Sequence, residues 1–470
     1  MTELPTDTPQ LFLDGRWVVR QQRLTRRWLP AKIFPEPVVR SDRAWEARTL
    51  VLYGTVQPQP GGGYRMYYGE FVPHRGREAE RAMKVYVAHS DDGFLWEKPD
   101  LRLVEWDGSR ENNIVLVPDQ RQDSPSVIHG PGDSEWPYKL IAFETGEGSE
   151  SWDETWGLYG YGSRDGLNWE KMPGPLVKAG DRTNLMAEKA DGRYVAYTRH
   201  PEMFERTGGR TIWRTESEDF LSWTEPRLVL APDLEDPGEV EFYGMSVFRR
   251  HGWFLGLLEY WDSDSDVIEV HLAFSRDGVV WQRPWPREPF ICAAHDWNRT
   301  WSSCASNGPI IIDEQMVFYF GGRWVSHHYD AAHQQGSIGY ASLPIDRFCA
   351  IEGGPGGWFE TPAFDWPGGD LVVNADTRES FSSHPTKTNG ELGVEVLDGA
   401  GNPLPGWSGE GKALFHGNTH CRCGVESGEV RWPESGGLDA LRGREIRLRF
   451  HLRHARLFTF AAATEGRGGH

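Results

Sequence analysis

Cysteine is scarce: five residues in a chain of 470, an odd number and too few for a disulfide framework. Free thiols suit a reducing compartment, so the sequence predicts a cytoplasmic protein. Positive charge is also short. Lys and Arg number 50 against 69 Asp and Glu, a formal charge of −19, and no cluster of Lys and Arg offers the basic stripe that a phosphate backbone needs. No nucleic acid partner is expected. No apolar run approaches the roughly 18 residues of a spanning helix, so no membrane is expected either. Residues 1–15 lack the basic start and apolar stretch of a secretory leader. Gly61-Gly62-Gly63 is followed by Tyr64 instead of a Gly-Lys-Thr end, which makes it a hairpin turn and not a phosphate loop. No cofactor and no metal are predicted, and the oligomeric state is left open. What the chain has is 22 Trp, 54 Gly and 31 Pro. Many aromatics among frequent turn formers point to short strands and tight turns. At about 150 residues per domain the length suggests about three domains, though all-β units often run longer.

One element recurs. Ser-x-Asp-(Gly/Phe)-x-x-Trp stands at Ser90, Asp92, Gly93, Trp96; at Ser163, Asp165, Gly166, Trp169; at Ser217, Asp219, Phe220, Trp223; and at Ser275, Asp277, Gly278, Trp281. Ser342, Asp346 and Phe348 form a worn fifth copy, and the serines are spaced 73, 54, 58 and 67 residues apart. Each copy follows a strand-sized run, at 85–89, 157–161, 212–215, 270–274 and 338–341. Two further runs precede each of these, for example 49–56 and 64–68 in the first repeat. With a fourth strand after the motif, each repeat makes a four-stranded meander. Five of them predict an all-β fold, a five-bladed β-propeller over residues 10–350. Within the motif, Asp accepts backbone N–H bonds, Gly supplies positive φ and Trp packs between sheets. It marks the blades and carries no chemistry. After residue 347 the pattern changes. Gly/Pro-rich punctuation at 353–357 and 365–370 is followed by strand candidates at 371–374, 392–397, 429–432, 445–452 and 457–460. These predict a small antiparallel β-sandwich over 356–463.

A propeller directs the entrances of its innermost strands at an axial funnel. The polar residues at the five entrances are Trp45 and Glu46; Asp123 and Ser124; Asp181, Arg182 and Asn184; Glu239 and Glu241; and Asp296, Arg299 and Asn307. Carboxylates around one funnel raise one another's pKa values, leaving one protonated and another ionised. Cleavage of a glycosidic bond uses such a pair, and sugar rings stack on Trp and Tyr faces. The expected substrate is a small carbohydrate. The expected catalytic residues are Glu241 as general acid and Asp123 or Asp181 as its ionised partner, with Glu46 as the alternative nucleophile or base. Arg182 and Arg199 are expected to hold a substrate hydroxyl or carboxylate. Trp45, Tyr243, Trp297, Trp301 and Trp324 are the candidate stacking faces, and His327 is expected at the same funnel.

Tyr64-Arg65-Met66-Tyr67-Tyr68, then Ser90-Asp91-Asp92-Gly93 to Trp96-Glu97-Lys98-Pro99, then Glu111-Asn112-Asn113-Ile114-Val115 resemble a bacterial group related to the propeller of glycoside hydrolase family 32. That family, with families 43 and 68, shares a five-bladed propeller. Residues 392–397, 425–432 and 448–460 resemble the sandwich that follows the propeller in family 32, so the resemblance spans about residues 10 to 463. It implies cleavage or transfer of fructosyl, arabinosyl or xylosyl units by three acids on early blades. The chain departs from the family's motifs. Ala44-Trp45-Glu46-Ala47-Arg48 stands where Trp-Met-Asn-Asp-Pro-Asn-Gly is found, and Arg121-Gln122-Asp123-Ser124-Pro125 interrupts the Arg-Asp-Pro element. Glu241-Phe242-Tyr243 replaces the Glu-Cys pair of the acid. The alternative is therefore a non-catalytic carbohydrate-binding propeller; a scaffold for protein partners is a third reading. His416, His420, Cys421 and Cys423 form a weak zinc-like stretch, outweighed by ordinary surface strand residues. Cys292 and Cys304 read as small buried fillers. The insert at 74–82 reads as a charged surface loop.

Overall fold

The computed structural model describes residues 3–71, 83–130, 132, 135–145, 155–327, 335–377, 390–419 and 429–463. It is nearly all β, and the chain divides into two compact units, Ala31–Ser342 and Met1–Pro30 with Leu343–His470.

The first unit is a succession of antiparallel meanders. Leu50–Pro58, Tyr64–Glu70, Val85–Ser90 and Ile114–Leu116 form one sheet. Gln122–His129, Tyr138–Glu144, Gly157–Ser163 and Glu170–Lys171 form the next. Asn184–Leu185, Tyr194–Thr198, Ile212–Ser217 and Arg227–Leu230 form a third. A fourth meander (Val240–Arg250, Trp253–Asp262, Val267–Ser275, Trp281–Gln282) meets a fifth through one parallel bridge, Ile268 to Trp301. The fifth is Trp301–Cys304 with Ile310–Ile312, then Gln315–Arg323 and Gly336–Pro344. Its outer strand comes from the other end of the unit, where Lys32–Ile33 and Val39–Arg40 pair with Gly336–Pro344.

The innermost strands close a ring. The Thr55 hydroxyl accepts from Val127 N–H at 2.9 Å, and Ser126 donates to the Thr183 carbonyl at 3.1 Å. Ser246 donates to Asn184 Oδ1 at 3.3 Å and lies 3.4 Å from the Cys304 carbonyl, and Ser306 meets Thr55 at 2.8 Å. Short hydroxyl side chains suit this axis because larger ones would not fit where five strands converge. Under the funnel lies a buried ion pair. Arg182 gives Nε to Glu259 Oε2 at 2.8 Å and Nη2 to Oε1, while Nη1 reaches Asn184 Oδ1 at 3.0 Å and Nη2 the Cys304 carbonyl at 3.0 Å. A Cβ on Gly244 would sit 2.5 Å from Arg182 Cγ and 2.8 Å from Glu259 Oε2, so the pair needs glycine there.

The repeated motif does what its chemistry dictates. Asp92 Oδ1 accepts from the Phe94 and Leu95 N–H groups at 2.7 and 2.8 Å, and Ser90 Oγ accepts from Gly93 N–H at 2.9 Å. Asp165, Asp219 and Asp277 repeat these bonds. The turn carbonyl then receives a tyrosine from a neighbouring meander: Tyr67 donates to Gly166, Tyr197 to Gly278 and Tyr319 to Gly93. The motif therefore joins blade to blade. Phe220, where the other copies have glycine, adopts φ 71° and is buried.

The second unit is a ten-stranded sheet that holds the strands expected near 371, 392, 429, 445 and 457. The start of the chain belongs here and not with the propeller, as the expected boundary at residue 10 had it. Arg20–Trp28 pairs with Cys349–Glu360, and Gln10–Leu11 with Ala455–Ala463. The glycine-rich 353–357 stretch is no linker but the bend of the long strand Cys349–Glu360. Its first half pairs with Ala455–Ala463 and its second with Glu445–Arg453. The two halves share a core in which Phe450 and Phe460 lie 5.5 Å apart, with Phe12, Trp17, Phe359 and Phe364 around them.

Glu259→Gln leaves the Arg182 charge at 1% exposure without its counter-ion. Breaking one side of a buried pair costs about 3–5 kcal/mol. Urea unfolding of the intact protein should show a loss of that size; a loss under about 1 kcal/mol would mean the ring does not depend on the pair.

Candidate functional site

Three inner strands break register at the same level, and the breaks aim side chains into the funnel. Leu52, Tyr53 and Gly54 bulge between the Val51 and Thr55 pairings, Ser124 and Pro125 between Asp123 and Ser126, and Tyr243 between Phe242 and Gly244. Ser124 and Arg182 hold positive φ, 54° and 52°. Bulges commonly re-aim residues beside sites.

A chain of contacts runs round the opening through all five meanders. The Asp123 carboxyl feels the charge of Asp181. Asp181 Oδ1 accepts from Arg199 Nη1 at 2.7 Å. Arg199 Nε donates to the Tyr243 carbonyl at 2.8 Å, and its guanidinium lies 4.1 Å from the Tyr243 ring centroid. The Tyr243 hydroxyl meets His327 Nε2 at 3.2 Å, and His327 stacks on Trp301 at 5.1 Å and 7°. Arg323 covers the other part of Trp301 at 4.0 Å, and its charge reaches the Tyr53 hydroxyl, as does that of Asp123. Trp261 packs against Tyr243, Trp301 and His327.

Burial and the neighbouring Asp181 charge push the Asp123 carboxyl above the ordinary carboxylate range, opposed by its bond from Ser124 and by Arg121 and Arg182. Asp123 keeps a partly accessible surface although protein surrounds it on most sides. Asp181 leaves 39% of its side chain exposed while Arg199 holds one oxygen. Burial, with Tyr243 and Asp123 nearby, pushes the Tyr53 hydroxyl up. The site thus has a carboxyl disposed to keep its proton beside an anchored carboxylate and an aromatic wall.

Of the expected residues, Asp123, Asp181, Arg199, Tyr243, Trp301 and His327 stand in this group. Glu241 stands at its edge, opposite Trp261 in the strand pairing. Its Oε2 accepts from the Arg210 backbone N–H at 2.8 Å and from Arg210 Nη1 at 3.0 Å. Both contacts engage the same carboxylate oxygen, so Arg210 holds Glu241 at the rim.

The other expectations are corrected. Arg182 lies beneath the funnel with its donors engaged by Glu259, Asn184 and the Cys304 carbonyl, and Tyr53 covers it at 4.3 Å. Glu46 is fully buried on the far side of the first meander, where Tyr68, Lys98 and two backbone N–H groups take its oxygens. Trp45 donates to Asn113 Oδ1 at 2.9 Å in the same core. Trp297 stacks on Phe320, covers Gly322 and Gly339 and donates to the Pro35 carbonyl at 3.0 Å. These three precede or flank their inner strands, and repeat position alone did not separate side chains facing the axis from those facing the sheet.

Tyr53, Trp261, Arg210 and Arg323 were missed. The signal for Arg323 was present: a charged residue closes or interrupts the aromatic run of each second strand, at Glu70, Glu144, Arg199, Glu259 and Arg323. An open groove of about 390 Å³ by Val39, Asp42, Trp96 and Lys98 lies apart from the funnel, and Asp42 and Glu46 already neutralise its Lys98. Among the described residues no cluster of three His, Cys, Asp or Glu side chains forms a metal site, and no helix is long and apolar enough to cross a membrane. His420, Cys421, Cys423 and the 74–82 insert fall outside the described residues, and His416 Nδ1 lies 3.1 Å from the Gly390 carbonyl. Burial raises the Cys292 and Cys304 thiols, so neither is an activated nucleophile.

An all-β protein with a ring of meanders around a charged, aromatic funnel is the class that the fold and the site define. No family profile matches the chain, and no curated protein matches it. Among solved structures it is similar to the β-1,2-mannobiose phosphorylase from Listeria innocua, solved with β-1,2-mannobiose, at 15% identity and TM-score 0.47 over 68% of this chain and 97% of that one. A structure from the family 130 mannoside phosphorylases, described with hydrolases that target β-1,2 mannosidic linkages in Candida mannan, matches at 15% and 0.45 over 68% and 97%. A glycosyl hydrolase from Bacteroides ovatus matches at 13% and 0.44 over 74% and 95%. These are glycoside-processing proteins of family 130 type where a family is given, not of family 32, 43 or 68.

Carboxyl carbon-13 NMR, assigned with Asp123→Asn, should show Asp123 titrating above the ordinary value of about 3.9. Asp181→Asn should lower that midpoint without restoring it, since burial is the larger cause. A midpoint that ignores Asp181→Asn would refute the coupling. In the stability balance a raised Asp123 opposes folding as pH rises through its titration. Asp165 and Asp219 act in the other sense: their pKa values, lowered to about 2, stabilise above the unfolded value, and that effect is lost as pH falls from the unfolded value through about 2.

Proposed function

We propose that this protein is a glycoside hydrolase that cleaves a terminal sugar in the funnel, with Asp123 as general acid and Asp181 as its ionised partner. The observation that carries the reading is the Asp123–Asp181 pair, one carboxyl pushed toward retaining its proton by burial and by the other's charge. Asp123 delivers its proton to the leaving glycosidic oxygen. Asp181 either attacks the anomeric carbon or takes the proton of an attacking water, and water supplies the atoms of the product. Arg199 keeps Asp181 in place through Nη1, and stacking on the Tyr243 ring fixes the guanidinium. Trp261, Trp301 and Tyr243, buried and covered by Arg210, His327, Arg323 and Arg199, form the wall behind the site, and the Glu241–Arg210 pair lies where a hydroxyl would approach from the rim. The free thiols Cys292, Cys304 and Cys349 support a cytoplasmic location.

The test is a panel of aryl glycosides and natural oligosaccharides, including fructosides, arabinofuranosides, xylosides and mannosides, run on wild type, Asp123→Asn, Asp181→Asn and Glu241→Gln. Asp123→Asn should lose about 10²–10⁴ in turnover of a natural glycoside. It should lose far less on an aryl glycoside whose leaving group needs no proton. Asp181→Asn should lose activity on both, and Glu241→Gln should lose less than either. Equal activity of Asp123→Asn on both substrate types would remove the acid assignment. Silence from wild type across the panel would favour a carbohydrate-binding propeller without catalysis.

A further inference from the structure

The charged residues at one shared step of the second strands are Glu70, Glu144, Arg199, Glu259 and Arg323, and four of the five are neutralised where they stand. Lys84 pairs with Glu70, Lys171 with Glu144 at 2.6 Å, Asp181 with Arg199 at 2.7 Å and Arg182 with Glu259. Among the described residues the fifth has no such partner. Arg323 is 2% exposed, its Nε and Nη2 are buried without a hydrogen-bond partner, and among the described residues no carboxylate pairs with it. It has two aromatic faces instead, Trp301 at 4.0 Å and Phe71 at 4.9 Å. The Trp301 Nε1 is also buried without a partner. Aromatic faces offset part of the cost of burying a guanidinium, but they leave its in-plane N–H donors unused. A fold keeps unpaired buried charge where something from outside completes it.

Resting on the reading of the funnel as a sugar-processing site, we propose that Arg323 and the Trp301 indole N–H receive an oxyanion. It is either the carboxylate of an acidic sugar or inorganic phosphate bound beside a neutral one. Both present paired oxygens to the guanidinium fork and both supply the charge that the other four positions already have. Arg323 lies on Trp301, Trp301 packs against Tyr243 at 4.8 Å, and the Tyr243 carbonyl holds the Arg199 that anchors Asp181, so the oxyanion would share the site of the carboxyl pair. A neutral sugar alone would leave the guanidinium unpaired, and sites with unfilled buried donors reject such ligands strongly.

Calorimetry and tryptophan fluorescence on the intact protein would compare methyl glucuronide and methyl galacturonide with methyl glucoside and methyl galactoside, and with inorganic phosphate. One oxyanion arm should bind at least tenfold more tightly than the neutral sugars. Arg323→Met should remove that margin, Arg323→Lys should keep part of it, and Trp301→Phe should weaken it while keeping the ring. A margin for the uronides identifies an acidic sugar, and one for phosphate identifies the inorganic ion. Equal binding of acidic and neutral sugars with no binding of phosphate overturns the inference, as does a folded Arg323→Met that binds like wild type. Should Arg323→Met fail to fold, an unchanged margin in Trp301→Phe overturns it. Oxyanion binding lost in these variants, with no turnover of any glycoside, keeps this inference and rejects the hydrolase. Turnover of neutral glycosides without oxyanion binding does the reverse.

Discussion

The ring depends on charges buried where five sheets converge. Arg182 lies beneath the funnel, carried on the third meander, and is neutralised by Glu259 from the fourth. It reaches the backbone of the fifth at Cys304 and supports Tyr53 from the first. One guanidinium thereby touches four meanders. Its fixed position, in turn, sets where Asp181 one residue earlier and Tyr53 above it can stand. Such a pair contributes little net stability against apolar packing, but its geometry tolerates few alternatives. Specification of the site, more than strength, is what it gives.

Above that plane the site is assembled from strand irregularities. A regular strand alternates its side chains between two faces, and neither face of a blade points along the axis. The bulges at Tyr53, Ser124 and Tyr243 break the alternation and turn side chains toward the opening. Gly54 lets the first strand approach the Tyr67 carbonyl, where a Cβ would sit 2.0 Å from the oxygen.

These devices mark the limit of what was legible in the sequence. The repeat of Ser90, Asp92 and Trp96 gave the meanders because its turn chemistry is local, and the same residues make the same bonds in each copy. The entrance positions led to Asp123 and Asp181, and the arginine and aromatic candidates to Arg199, Tyr243 and Trp301, all of which gather at the funnel. The entrance positions also led to Glu46 and Trp45, which turn into the sheet core: both precede their inner strand, and repeat position alone does not say which way a side chain there faces. Arg182 was legible as an entrance residue but not as a buried one, since its partner Glu259 is 77 residues away. Strand Arg20–Trp28 was assigned to the wrong unit for the same reason: its partner Cys349–Glu360 lies far along the chain.

That strand has a consequence for synthesis. It leaves the ribosome some 320 residues ahead of the segment it pairs with, a wait of roughly 15–60 s at ordinary elongation rates. During that time it is an open edge, the kind that recruits other nascent chains. Its sequence, Arg-Gln-Gln-Arg-Leu-Thr-Arg-Arg-Trp, carries four arginines in nine residues and only two large apolar side chains. In a chain of strongly acidic composition this basic segment would be repelled by its own copies and held near its own carboxylates until Glu352 and Glu360 arrive to pair with Arg27 and Arg20.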